Sequence, residues 1–227
     1  MKNTLKSAFL ATVPVLSGYI VLGFGFGIIM KSAGYGILLS LAMSAFIYAG
    51  SMQYVAVGLF TGGVSFITSA LTALMVNARH LFYGISMLDK YRHTGMIKPY
   101  LIFSLTDETY SLLCSDNPNI ALNQKNNYYF LVSLFNHIYW VVGTLLGALA
   151  GSLIRFNTEG VDFALTALFI TVFLEGWLST NKHMPAIIGV VASVACLLIF
   201  GAESFLIPAM IIIALSLCVY REECKNG

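Results

Sequence analysis

Four groups of polar residues stand inside long apolar runs of this 227-residue chain, and each could do chemistry. An ionisable group at membrane depth is costly to keep there, so its presence asks for a function. The first group is Asn77-Ala78-Arg79-His80. At 100° per residue Asn77 and His80 share a helix face while Arg79 points nearly opposite. Arg79 could meet an anion or a carboxylate, with Asn77 and His80 lining the path. Its plainer use is to snorkel to the interface beside a basic loop. The second group is Thr106-Asp107-Glu108-Thr109, with Ser104, Glu108, Ser111 and Ser115 on one stripe and Asp107 about 100° away. Two adjacent carboxyls cannot both face lipid, and desolvation and mutual repulsion each disfavour two ionised groups. That suits a proton carrier or an ammonium partner; the alternative is an amphipathic segment lying in the interface.

Asn136-His137 forms the third group. His137 suits a proton relay or a satisfied structural hydrogen bond. Asn136, Trp140, Gly143, Gly147 and Gly151 align on one face, and the three glycines make a small-x-x-x-small ladder for close helix packing. That ladder either packs internally or docks a second subunit. Glu175, near the polar end of its run, is the fourth; a loop-facing carboxylate is its plainer reading.

Glycines add a further pointer. Gly23-Phe24-Gly25-Phe26-Gly27 and Ala49-Gly50-Ser51-Met52-Gln53 interrupt two apolar runs. Paired interruptions point to a transporter site near the midplane, where freed N–H groups hold a carboxylate and freed C=O groups a cation. Glycine as a packing spacer is the competing reading. No dinucleotide fingerprint is implied, because no strand precedes the first segment. Hydrolase and phosphate-loop motifs are missing, the histidines at 80, 93, 137 and 183 are scattered, and no metal-ligand spacing occurs. The chain reads as a non-enzyme without cofactor or metal.

The elements that carry these groups are set by composition. Hydrophobic residues make up 58% of the chain and charged residues 10%, with a net charge of +2; mean hydropathy is +0.83. A soluble domain carries about 25% charged residues, and a nucleic-acid binder shows a basic footprint that is missing here. The four cysteines form no C-x-x-C pair and read as small apolar residues. The expected class is an all-α polytopic membrane protein, one integral-membrane domain over residues 1–227.

Ser7–Met30 is longer than the roughly 7–15 residues of a signal h-region and reads as a retained span. Residues 32–78 carry no charge; as one helix they would run about 70 Å, so they must fold back, best at Thr61-Gly62-Gly63. Spans are expected near 36–60, 64–88, 128–154, 163–180, 185–200 and 205–220. The stretch 100–114, interrupted by its two carboxyls, is expected to be re-entrant or half-length. That makes about seven transmembrane helices, with six to eight as the range. Counting Lys and Arg by side favours an outside N-terminus and an inside C-terminus, with the 90–98 loop in the cytoplasm. No sequence repeat stands out.

Three strings carry a resemblance: Tyr48-Ala49-Gly50-Ser51-x-Gln53, Asn77-Ala78-Arg79-His80-Leu81-x-Tyr83, and Thr106-Asp107-Glu108. In this order and spacing, with Pro14 and the glycine-rich end of the first span, they resemble the AzlC family, the large subunits of bacterial branched-chain amino-acid exporters. Residues 8–115 carry the likeness in motif; 128–220 agree in length and hydropathy. The resemblance implies a proton-coupled secondary exporter in the bacterial inner membrane, and a small hydrophobic AzlD-like membrane subunit as partner. On that reading Gly25, Gly50, Ser51, Gln53, Asn77 and Arg79 bind the amino acid, and Asp107, Glu108 and His137 handle protons. A passive channel for a small neutral solute, and a non-transporting assembly subunit, are the rival readings.

Overall fold

The computed structural model describes residues 2–114, 120–153 and 183–201, with scattered residues between 170 and 217. Glu175, Ser115, Arg155 and most of the expected 163–180 span lie outside the described residues, as does part of 205–220. The chain divides into two compact units, one up to residue 165 and one from 166 onward.

In the first unit, α1 (Lys2–Ser32) and α8 (Lys125–Leu153) are each long and apolar enough to cross a membrane in one piece. They pack in parallel: Thr4 donates to Gln124 at one end, Thr12 meets Tyr139 further along, and Lys31 lies against Gly151 at the other. Between them run α2 (Ile37–Phe46), α3 (Gly50–Thr61), α4 (Phe66–Asn77), α5 (Arg79–Tyr91), α6 (Lys98–Phe103) and α7 (Asp107–Cys114). In the second unit α9 (Met184–Phe200) starts with Pro185 in its first turn, where a missing N–H costs nothing.

Gly23–Gly27 does not interrupt α1. A Cβ on Gly23 would sit 2.8 Å from the Trp140 carbonyl oxygen, and one on Gly27 would press on the backbone of Thr144 and Ala148. These glycines and the Gly143-Gly147-Gly151 ladder are two halves of one close helix contact, so the ladder packs internally.

The expected 36–60 crossing is instead a hairpin of two half-helices. Helix α2 runs down along α8, with Ser44 against Thr144 and the Tyr48 ring 4.2 Å from His137. Helix α3 then turns back: the Gln53 amide donates to Ser44, Tyr54 donates to the Leu22 carbonyl, and Phe60 ends against Tyr35, beside the start of α2. At the tip Tyr48 has φ 45°, a left-handed backbone that a bulky residue adopts only when its surroundings hold it. The rings of His137 and Phe103 do so here.

Gly63, at φ 59°, makes the turn expected after Thr61. From there α4 and α5, broken only at Ala78, descend to the end where α1 begins. Met87 and Tyr91 pack there with Ala8, Leu101, Leu113 and Tyr129. The 100–114 segment doubles back as expected. Helix α6 rises to a tip at Ser104-Leu105-Thr106, and α7 returns to that same end, where Lys90 donates to the Leu113 and Cys114 carbonyls. Thr106 caps α7 by accepting from the Thr109 N–H. The two hairpins therefore enter from opposite ends and their tips meet halfway along α1 and α8.

Candidate functional site

Three of the four polar groups converge where the tips meet. Arg79, at the first turn of α5, donates to the Ser51 hydroxyl at 2.6 Å and pairs with Asp107 at 2.7 Å. Ser51 opens α3 and Asp107 opens α7, so one guanidinium joins both hairpins. The two charged side chains keep 34% and 26% of their surface exposed, which leaves them open to a ligand. Arg79 Nε and Asp107 Oδ1 are themselves buried and have no hydrogen-bond partner among the described residues, so a ligand reaches those two atoms only if the two tips move. A partly exposed guanidinium beside a partly exposed carboxylate is matched to a ligand bearing both charges, which would take the place of their pairing.

Glu108 turns away from Arg79 toward α1. Its Oε2 accepts from the Tyr19 hydroxyl at 2.6 Å, and the same hydroxyl lies 2.6 Å from Thr106 Oγ1. Thr106 donates to Thr109, which also accepts from Asn136. Adjacent carboxyls thus have different partners, one a guanidinium and one a phenol. The first turns of α3 and α7 leave backbone N–H groups without intrahelical acceptors, a setting that favours negative charge nearby.

The other expected residues fall into place around this centre. Gly50 lies against the Trp140 ring, where a Cβ would be 2.9 Å from it. Gln53 is fully buried and committed: its carbonyl accepts from the Trp140 indole and its amide donates to Ser44. It fastens the first hairpin to α8. His137 packs against the Tyr48 ring, tilted by 32°, and shares a hydrogen bond with the Tyr100 hydroxyl. Asn77 donates to the Ala73 carbonyl, on the side of the break away from Arg79. With His80 and Leu105 it lines a groove of about 480 Å³ that runs past Ile85 to Lys98 and Tyr91.

Gly25 does not join the polar groups. Because α1 is unbroken, its amides are not freed for a ligand, and a Cβ there would meet the Tyr54 hydroxyl at 2.7 Å. Tyr19 was not among the expected residues. The signal for it is a lone phenol in mid-span, whose hydroxyl must find a partner away from water.

A model of the AzlC protein family matches residues 14–154. The branched-chain amino acid transport protein AzlC of Bacillus subtilis is 46% identical, over 98% of this chain and 87% of its own length. An uncharacterized membrane protein of Haemophilus influenzae is 43% identical over 91% of this chain and 84% of its own. One from Helicobacter pylori is 40% identical over 98% and 97%. No solved structure matches the chain.

Proposed function

The chain belongs to the AzlC family, and from that premise we propose that it exports branched-chain and other neutral aliphatic amino acids from the bacterial cell in exchange for protons. It is a helical membrane protein, as its relatives are named. The observation that carries the reading is the Arg79–Asp107 pair between the two tips. A zwitterion can insert into that pair: its carboxylate takes the guanidinium and its ammonium takes Asp107, so no buried charge is left uncompensated. The aliphatic side chain needs only an apolar wall, and one methylene is worth about 1–3 kcal/mol there. Leu, Ile, Val and Met are therefore poorly told apart. The Bacillus relative's name, a branched-chain amino acid transport protein, supports the substrate class.

Orientation follows from charge. Lys2, Lys6, Lys90, Arg92, Lys98 and Lys125 gather at the end where α1 begins, and Lys31 stands at the other. The positive-inside rule puts the first end in the cytoplasm. This keeps the 90–98 loop inside but turns the N-terminus inward, because 36–60 no longer counts as a crossing. The first hairpin then enters from outside and the second from inside. A small AzlD-like subunit completes the exporter, in the inner membrane.

Asp107→Asn and Glu108→Gln test the proton role while keeping shape and hydrogen bonding. At least one variant should lose gradient-driven valine transport in proteoliposomes yet keep exchange of labelled for unlabelled valine. Intact gradient-driven transport in the double variant would remove the carboxyls from coupling. A passive channel would show no stimulation by unlabelled valine on the far side.

A further inference from the structure

The two halves of the first unit repeat each other upside down. Phe26-Gly27-Ile28-Ile29-Met30 near the end of α1 corresponds to Tyr83-Gly84-Ile85-Ser86-Met87 near the end of α5. Met30 and Met87 are both fully buried. Each helix is followed by a hairpin that re-enters from the end just reached. Each hairpin's second arm carries a tyrosine, Tyr54 or Tyr110, that returns to its own preceding helix. Tyr54 packs 5.8 Å from Phe26 and donates to the Leu22 carbonyl. Tyr110 stacks 4.5 Å from Tyr83 and donates to Ser86. One residue before each tyrosine, Gln53 and Thr109 accept from α8, through Trp140 and Asn136. Because α1 ascends where α4 and α5 descend, the relation is an inverted repeat.

Each half also reaches across to the other's hairpin. Tyr19 on α1 holds the second tip through Thr106 and Glu108. Arg79 on α5 holds the first tip through Ser51. We propose that these two cross-repeat contacts are latches, that Arg79–Ser51 restrains the hairpin entering from outside and Tyr19–Glu108 the hairpin entering from inside, and that releasing them in turn exposes the mid-layer site to opposite sides. The proposal rests on the carrier reading above.

The two latches have different chemistry, and the difference sets a direction. A substrate carboxylate competes with Ser51 and Asp107 for Arg79, so an amino acid bound from the cytoplasm loosens the outer hairpin. A proton on Glu108 turns a charged acceptor into a neutral one and weakens its bond from Tyr19, so a proton from outside loosens the inner hairpin. Alternation in that order is export against proton entry. Inverted repeats that exchange conformations are a known physical basis for such alternation.

The test reads accessibility and needs no substrate. Ala78→Cys, at the break beside the site, is placed on a cysteine-free background and labelled with an impermeant thiol reagent, in right-side-out and in inverted vesicles. Ser51→Ala should raise labelling from outside, and Tyr19→Phe from the cytoplasmic side, by about tenfold each, the scale of a lost hydrogen bond to a charged group. Should Tyr19→Phe fail to accumulate, Thr106→Val loosens the same latch. Opposite shifts support the latches even if valine is not carried, in which case the transport reading alone fails. Shifts to the same side, or none in either variant, overturn the proposal.

Discussion

Arg79→Gln should lower valine exchange in proteoliposomes by about 100-fold while leaving accumulation in the membrane near normal. The substitution keeps a polar amide and the first part of the side chain but removes the charge, and the Nη1 and Nη2 atoms, that join Ser51, Asp107 and the incoming carboxylate. Hydrogen bonds to a charged group contribute about 1.5–3 kcal/mol each, and the upper half of that range corresponds to the stated loss. Arg79→Lys restores the charge without the planar fork. One ammonium cannot reach Ser51 and a carboxylate in the same geometry, so about a tenfold loss should persist. An Arg79 whose only task is to snorkel to the interface would accept both changes with little effect.

Gly147→Ala should destabilise the chain itself by about 3 kcal/mol or more, the upper end for forcing extra volume into a filled contact. The added Cβ would lie 2.6 Å from the Phe24 carbonyl carbon and 2.7 Å from its Cα. Neither is the movable end of a side chain, so α1 and α8 must separate. Separation also withdraws Tyr19 from Trp140, whose rings now meet edge to face at 5.5 Å, and so disturbs the site at a distance. The comparison is Gly58→Ala, where nothing lies within 4 Å of the new atom. Thermal unfolding in detergent, followed by loss of monodisperse protein, should show the first variant failing and the second unchanged. If Gly147→Ala unfolds normally but no longer co-purifies with a partner subunit, the ladder is a docking face after all.

These two positions mark how far the sequence could be read. Arg79 was legible because a guanidinium deep in an apolar run has few inexpensive explanations, and helical spacing alone sets it opposite Asn77 and His80. The re-entrant character of 100–114 was legible for the same reason: two carboxyls leave too short an apolar stretch on either side to cross. Residues 36–60 carry no such charge. Their length suits one full crossing as well as two half-helices, and only contacts between distant residues, Tyr35 with Phe60 and Ser44 with Gln53, decide for the hairpin. Glycine was ambiguous in kind. A break and a close helix contact both need a residue without a side chain, and Gly23, Gly27 and Gly50 all turned out to serve the second, while the break before Gly50 is made at Tyr48. The repeat was hidden because, beyond the short match of Gly27, Ile28 and Met30 with Gly84, Ile85 and Met87, the halves share packing roles more than residue types: Phe26 answers to Tyr83 and Gln53 to Thr109.

Polarity in the mid-layer carries a further lesson about assignment. Gln53 and Arg79 both looked like ligands for an amino acid. Gln53 is fully buried with its amide and its carbonyl engaged within the fold, whereas the Arg79 and Asp107 side chains stay partly exposed and meet each other across the tips. Exposure at the pair, against burial with every group engaged, separates groups able to receive a substrate from groups that hold the site together.

The central claim, coupled export, is tested most directly by uptake of labelled valine into everted membrane vesicles under an imposed proton gradient, acidic inside. Such vesicles present the cytoplasmic face outward, so export appears as uptake. Accumulation above the equilibrium level that collapses when a protonophore is added, and that Arg79→Gln abolishes, is the predicted result. Valine that merely equilibrates, at a rate indifferent to the gradient and to Arg79, would contradict it.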